Sequence, residues 1–267
     1  MEIIFRILIF IIGACIGSFL CCQARRLHYN LSHKKKLREK RSICLRCKKR
    51  LKWYDNIPII SWLFLKGKCR HCHRKIGITE FLAELGTATA FLLLSFSVDL
   101  LVHSPLEWAV FVATIVFASV LVFLAIYDGL YGELPTVFLI LSIICAVVVF
   151  SLQTSVTLSS AHFTMSLIIN PLLSLLILGG LYLVLYLISK GKWVGDGDWM
   201  LATAIAIVLG HPFLALVTLF VANFTACLVM LPIAKGNPKA KIHFGPFLVI
   251  GFIIVYSLSS YLIMFIS

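Results

Sequence analysis

Two pairs of cysteines stand at a spacing that is typical of metal sites. Cys44-Leu-Arg-Cys47 and Cys69-Arg-His-Cys72 are two CxxC knuckles separated by 21 residues. Each knuckle can direct two sulfurs at one ion, and two knuckles complete a tetrahedral shell of four thiolates. Thiolate ligands in that geometry favour Zn²⁺. The sequence therefore predicts a structural zinc site. A redox pair or four unrelated thiols is the alternative, and the neighbouring His71 and His73 could replace a cysteine as ligands.

The chain has eleven carboxylates in all, so two aspartates at the ends of apolar runs stand out. Asp128 closes an apolar run in Ala125-Ile-Tyr-Asp128-Gly, and Asp198 opens another in Gly195-Asp-Gly-Asp198. If they face each other they can share one proton, since two like charges a few ångströms apart cannot both ionise. One carboxylate would then activate a water while the other donates to a carbonyl. Spacing alone leaves the alternative open that they are helix-end residues, and Asp196 could equally be an N-cap.

The elements that must position these residues are membrane helices. The chain of 267 residues is 61% hydrophobic with a mean hydropathy of +1.02, which is too apolar for an ordinary soluble domain. Runs of about 18–25 apolar residues, each able to cross about 30 Å of hydrocarbon, recur along it. We predict an all-α polytopic membrane protein with about eight spans, at roughly 3–22, 81–102, 107–127, 134–152, 163–189, 199–210, 212–233 and 244–266.

The positive charge is concentrated in one loop. Residues 25–75 hold 18 of the 24 Lys and Arg residues. Beside membrane spans, such a loop is expected in the cytoplasm, against anionic lipid headgroups. The remaining loops agree with this orientation, which places the N-terminus outside and both aspartates at cytoplasmic span ends. We predict three parts: a first span (1–23), a basic loop with the zinc module (24–79) and a seven-span domain (80–267).

Several motifs together resemble the type IV prepilin peptidase family, whose members are bifunctional leader peptidases and N-methyltransferases. The resemblance runs almost from end to end. It rests on Gly17-Ser-Phe-Leu20, the two CxxC pairs, Trp53-Tyr-Asp-Asn-Ile-Pro-Ile-Ile-Ser-Trp62, Gly67-Lys68, Thr79–Leu85, Asp128 with Leu134-Pro135, Gly195-x-Gly197-Asp198, and Lys241-Ile-His-Phe-Gly-Pro-Phe247.

The resemblance implies a membrane aspartic peptidase of the GxGD type with Asp128 and Asp198 as its catalytic pair. The expected substrates are prepilins, pseudopilins or competence pilins with basic leader peptides. A second activity is expected, in which the new N-terminus is methylated from S-adenosylmethionine. Gly67 and Lys68 match the family's methyl-transfer pair, and Glu84 is a further candidate. The expected location is the bacterial inner membrane, and no nucleic acid is expected as a partner.

The chain departs from the family pattern at four places. Cys21 stands where Asn follows GSFL, Thr136 where Asp or Asn follows Leu-Pro, Met200 where Lys is usual, and His243 where Pro is common. None of these changes removes a candidate catalytic carboxylate or zinc ligand. For Glu80 and Glu84, an acidic first helical turn is an equally good interpretation.

Three other functions compete with this hypothesis. A peptidase with an inactive methyltransferase would fit the same motifs, since no Rossmann glycine fingerprint is present. A transporter with a zinc-stabilised loop should have acids deeper in its spans or repeated helices, which the sequence lacks. A tethered nucleic-acid-binding zinc module could stack bases on Trp53, Tyr54 and Trp62, but it gives the aspartates no role.

Overall fold

The apolar runs of the sequence form α-helices in the computed structural model, which describes residues 2–33, 47, 49–50, 52–97, 104–160, 164–191, 194–236 and 243–265. The α-helices are α1 (Glu2–His33), α2 (Ile60–Phe64), α3 (Ile78–Leu94), α4 (Pro105–Tyr131), α5 (Thr136–Ser160), α6 (Ser166–Ser174), α7 (Leu181–Ser189), α8 (Asp196–Leu209), α9 (Pro212–Gly236), α10 (Gly245–Ser257) and α11 (Ser259–Met264). A π-helical turn, Leu175–Gly180, joins α6 to α7.

The predicted all-α membrane architecture is confirmed. In the part of the chain that the structure describes, six helical segments are long and apolar enough to cross a bilayer: Glu2–Ser32, Ile78–Ser97, Pro105–Tyr131, Thr136–Ser159, Ser166–Ser189 and Pro212–Ile233. The predicted sixth span corresponds to α8, which has 14 residues. The predicted last span is divided at Leu258 into α10 and α11. The count of eight spans therefore stays a prediction.

The chain forms two compact units, Met1–Leu92 and Leu93–Ser267. In the first, α1 lies against α3 through glycines on α1. A Cβ atom on Gly17 would lie 2.6 Å from the Ala83 carbonyl oxygen, and one on Gly13 would lie 2.9 Å from the Ala88 Cα. Small residues of this kind allow membrane helices to approach closely.

The loop between α1 and α3 is held to α3 by its aromatic and backbone groups. Trp62, in the short helix α2, stacks on Phe81 of α3 with 4.7 Å between the ring centroids. After α2, an isolated antiparallel bridge pairs Lys68 with Lys75. The turn between these two lysines contains the second CxxC knuckle.

In the second unit, α4 and α5 form a hairpin, α8 packs on α5, and α10 packs on α4 and α9. The start of α4 is fixed by a capping box, in which Ser104 and Glu107 exchange side chain–backbone hydrogen bonds. Its end is fixed by Gly132, whose φ of 71° is in the left-handed region that favours glycine. The helix therefore stops one turn after Asp128.

The close approach of α1 to α3 gives the first prediction. Replacing Gly17 with Leu should lower the free energy of unfolding by about 1–3 kcal/mol, because the new side chain would displace the α3 backbone. Replacing Gly86 with Leu is the matched control, since a Cβ there meets nothing within 4 Å. Thermal unfolding of the purified protein in detergent measures both. Equal transition temperatures for the two variants would contradict the packing described here.

Candidate active site and metal site

Asp128 is buried in the last turn of α4, with 6% of its surface exposed. Its Oδ2 accepts a hydrogen bond of 3.0 Å from the backbone N–H of Gly245, at the start of α10. Its Oδ1 lies 3.7 Å from the Nδ1 of His243. A Cβ on Gly245 would lie 2.8 Å from the Asp128 Oδ2. A glycine is therefore required there for the backbone to reach the carboxylate.

Asp198 is buried in the first turn of α8, with 8% of its surface exposed. Its Oδ2 accepts a 3.0 Å hydrogen bond from the backbone N–H of Gly195. Asp196, two residues earlier, is exposed, and the Trp199 indole N–H donates to it at 3.5 Å. Of the two acids in this motif, Asp198 is therefore buried and Asp196 is exposed.

The two buried aspartates belong to one cluster of helix ends. A Cβ on Gly197 would lie 2.6 Å from the Leu134 Cβ, which places the start of α8 directly on the turn between α4 and α5. The start of α10 reaches the same place through Gly245. Both buried carboxyls therefore lie at this cluster. Two neighbouring buried carboxyls are the arrangement that the chemistry of an acid–base pair requires.

Three of the four predicted zinc ligands come together. The Sγ atoms of Cys47, Cys69 and Cys72 all lie within 4.8 Å of one another. Sulfurs bound tetrahedrally to Zn²⁺ at about 2.3 Å are about 3.8 Å apart, so this cluster fits the ion. Cys44, the predicted fourth ligand, lies outside the described residues.

Backbone and charged groups shape the second knuckle. The Cys69 N–H donates to the Arg74 carbonyl and the Cys69 carbonyl accepts from the His73 N–H, both at 2.9 Å. The Nε of Arg70, inside the knuckle, donates to the Asp55 carboxylate at 2.8 Å. Hydrogen bonding to Asp55 raises the pKa of the Arg70 guanidinium above its ordinary value. This ion pair joins the knuckle to the 3-10 turn at Trp53–Asn56.

The predicted methyl-transfer residues Gly67 and Lys68 line an open cleft of about 420 Å³. Its other lining residues are Trp62, Lys66, Lys75, Ile76, Gly77 and Ile78. Gly67 has a φ of 64°, and a Cβ there would lie 2.9 Å from the Trp62 ring. This glycine thus meets two requirements, the left-handed backbone and the contact with the indole.

Glu84 is not among the lining residues of this cleft. Its carboxylate accepts a 2.7 Å hydrogen bond from the backbone N–H of Ile59 and a further hydrogen bond from Ser18. Ile59 has a φ of 62°, which a β-branched residue seldom adopts. Through these contacts Glu84 stabilises a strained loop conformation. Its direct role in methyl transfer stays a prediction.

Sequence reasoning missed three contributors to these sites. Gly245 and His243 are 117 and 115 positions from Asp128 in the chain, and Ile59 is 25 positions from Glu84. The stretch Lys241–Phe247 carries a recognisable motif, but nothing in its spacing indicates that it contacts Asp128. His243 stands out in the sequence as a departure from the family's usual Pro, but nothing in the sequence places it beside Asp128.

Comparisons with known proteins agree with the motifs. A profile described as the bacterial peptidase A24 N-terminal domain matches residues 11–98. A prepilin leader peptidase/N-methyltransferase of Vibrio cholerae is 26% identical over 262 residues, covering 96% of this chain and 98% of that protein. No solved structure matches the chain.

Two further relatives are 30% identical to the chain. A type 4 prepilin-like proteins leader peptide-processing enzyme of Escherichia coli O78:H11 matches over 215 residues, 79% of this chain and 73% of that protein. A prepilin leader peptidase/N-methyltransferase of Klebsiella pneumoniae matches over 205 residues, 76% of this chain and 84% of that protein.

The cysteine cluster gives the second prediction. Purified wild-type protein should contain about one zinc per chain, the capacity of one closed tetrahedral site. A Cys69→Ser, Cys72→Ser double variant should lose that zinc, because it removes two of the clustered sulfurs. Elemental analysis of the protein measures the metal directly.

Cys227→Ser is the matched control, since Cys227 is an exposed cysteine on α9 and no part of the cluster. It should keep the wild-type zinc content. A double variant with undiminished zinc would show that the metal is bound elsewhere.

Proposed function

Because this chain belongs to the prepilin leader peptidase/N-methyltransferase family, we propose that Asp128 and Asp198 cleave the leader peptides of type IV prepilin-like proteins. The observation that supports this proposal is that two buried carboxyls lie at one cluster of helix ends, each with a backbone N–H donor. The substrates are prepilins, pseudopilins or competence pilins with basic leaders.

The reaction needs one aspartate ionised and the other protonated. The ionised carboxylate takes a proton from a water, whose oxygen attacks the scissile carbonyl carbon, while the protonated carboxyl donates to the carbonyl oxygen. Collapse of the tetrahedral intermediate breaks the C–N bond, and the amine leaves with a proton from the aspartate that took one from water. The aspartate that donated to the carbonyl oxygen takes a hydroxyl proton back as the new carboxylic acid forms, which restores the starting protonation states. No covalent bond to the protein forms.

The glycines of the cluster let the helix ends pack closely around the carboxyls. Gly195 and Gly197 precede Asp198, and Gly245 approaches Asp128 closely. The substrate's apolar helix would remain in the bilayer, with its basic leader at the cytoplasmic face of the inner membrane. This sidedness rests on the loop charges.

We assign methylation of the new N-terminus to the first unit. When bound, S-adenosylmethionine supplies an electrophilic methyl group. The cleft at Gly67 and Lys68 fits it in size, since small-molecule sites span about 300–1,000 Å³. Lys66, Lys68 and Lys75 offer cations for its carboxylate. Trp62 offers an aromatic wall, and its buried Nε1 has no hydrogen-bond partner among the described residues.

The zinc in this proposal is structural. Four thiolates leave no open position for water, so the ion would stabilise the loop that carries the cleft and would not take part in chemistry. The loop is short and has few buried side chains, which is the setting in which a metal stabilises a fold.

The third prediction tests the aspartates. Asp128→Asn and Asp198→Asn should each lower leader cleavage by at least about a hundredfold, because each removes one proton-transfer group. Cleavage of a purified prepilin in detergent, followed by mass spectrometry, measures the loss. Asp196→Asn is the matched control and should retain most activity, since Asp196 is exposed. Full activity of Asp198→Asn with loss in Asp196→Asn would assign the site to the other acid.

The fourth prediction separates the two activities. Lys68→Met should lower methylation about tenfold or more, because S-adenosylmethionine would bind more weakly. The substitution removes a cation of the cleft while keeping a side chain of nearly the same length. Lys49→Met, which removes an exposed cation outside the cleft lining, should methylate normally.

Mass spectrometry of the cleaved product reports both steps in one reaction. Cleavage should persist in Lys68→Met, since the aspartates lie on other elements. Normal methylation by this variant over a range of donor concentrations would remove Lys68 from the donor site.

A further inference from the structure

The His243 ring lies beside Asp128 and packs against Gly132. Its Nδ1 is 3.7 Å from the Asp128 Oδ1, the separation of an ion pair and longer than a direct hydrogen bond. A Cβ on Gly132 would lie 2.6 Å from the His243 Cε1 and 3.0 Å from its Nδ1. The ring therefore rests on the glycine that ends α4. His243 is 39% exposed while Asp128 is buried, so the imidazole can exchange protons with solvent.

The two aspartates differ in the helix ends that they occupy. Asp198 is in the first turn of α8, where the helix dipole and the free N–H groups favour negative charge. Asp128 is in the last turn of α4, where the dipole disfavours it. Two groups oppose that disadvantage: the Gly245 N–H, which donates to Oδ2, and the His243 imidazole, which lies at ion-pair distance from Oδ1. Within the described residues, His243 is the one cationic group within 4.0 Å of Asp128.

In the part of the chain that the structure describes, the titratable groups identified near this pair are acids and a tyrosine. Asp198 comes from α8, and the ring of Tyr182 from α7 lies 5.6 Å, between centroids, from the ring of Phe244, the residue after His243. Glu133 follows Gly132 in the chain. The titratable neighbours of a cation at His243, among the described residues, are therefore acids and a phenol.

We propose that protonated His243 is a positioning residue that keeps Asp128 ionised, so that Asp128 accepts the proton of the attacking water and Asp198 donates to the carbonyl oxygen. This inference rests on the proposed function of the two aspartates. It gives each carboxyl a defined role. The role belongs to this chain in particular, because its histidine stands where the family commonly has proline.

The proposal has a specific consequence for pH. Imidazole changes its charge between about pH 5 and pH 8. Where the ring is charged it opposes protonation of Asp128, so activity should persist to lower pH than it would without the histidine. Without the cation, Asp128 should be protonated more readily, and the acidic limb of the activity profile should move to higher pH.

The experiment compares pH profiles of kcat/KM for leader cleavage. In His243→Gln and His243→Pro, kcat/KM should fall about tenfold at the acidic end, because one nearby charge that solvent partly screens has an effect of that size. At the basic end, kcat/KM of both variants should approach the wild-type value. His243→Lys restores a cation and should restore the acidic limb. His28→Gln, which removes a histidine on α1, should keep the wild-type profile.

The possible results separate the two proposals. If Asp128→Asn and Asp198→Asn are inactive and all His243 variants keep the wild-type profile, the role of His243 is wrong and the catalytic pair stands. A loss that is equal at every pH and is not restored by Lys would reduce His243 to a packing residue on Gly132. Active aspartate variants would overturn the catalytic pair and the histidine role together.

Discussion

Keeping two carboxyls buried at the end of a helix bundle is the constraint on which the second unit depends. A buried polar group must be hydrogen-bonded, and backbone N–H groups at helix starts are the donors that a membrane bundle has available. Asp198 uses the approach to its own helix, through Gly195. Asp128 ends its helix, so another helix must bring a donor to it. The start of α10 does so, and Gly245 is the residue small enough to allow the contact.

The short length of α8 follows from the same requirement. Fourteen residues of α-helix extend about 21 Å, less than the hydrocarbon thickness of about 30 Å. A helix of this length needs other helices around its ends. The π-helical turn before α7 is one of the segments that pack against α8. There, a Cβ on Gly179 would lie 2.8 Å from the Thr203 Oγ1, and the Ser174 hydroxyl donates to the Ala206 carbonyl at 2.9 Å. π-helical turns are frequent near functional sites, where they change the direction in which side chains point.

Sequence patterns were sufficient for the features that depend on local composition. Apolar runs of bilayer length predicted the helical architecture, and the doubled CxxC spacing predicted the cysteine cluster, of which three members are described. The break of the last span at Leu258 was not predicted, because Val255–Leu262 contains no Gly, Pro or charged residue that would indicate the end of a helix. The contacts of His243 and Gly245 with Asp128 were not predicted either. They join residues more than a hundred positions apart, and no periodicity encodes such a pairing.

In the first unit a similar dependence connects a membrane helix to the loop. The positive φ of Ile59 costs of order 1–3 kcal/mol and persists only where surrounding contacts determine it. Glu84 of α3 supplies one such contact at the Ile59 N–H, and Phe81 of α3 supplies another by stacking on Trp62 three residues later. Trp62 is also the wall of the cleft that contains Gly67. The shape of the cleft therefore depends on α3, so Glu84 can influence the proposed methyl-donor site through the position of Trp62 without lining the cleft.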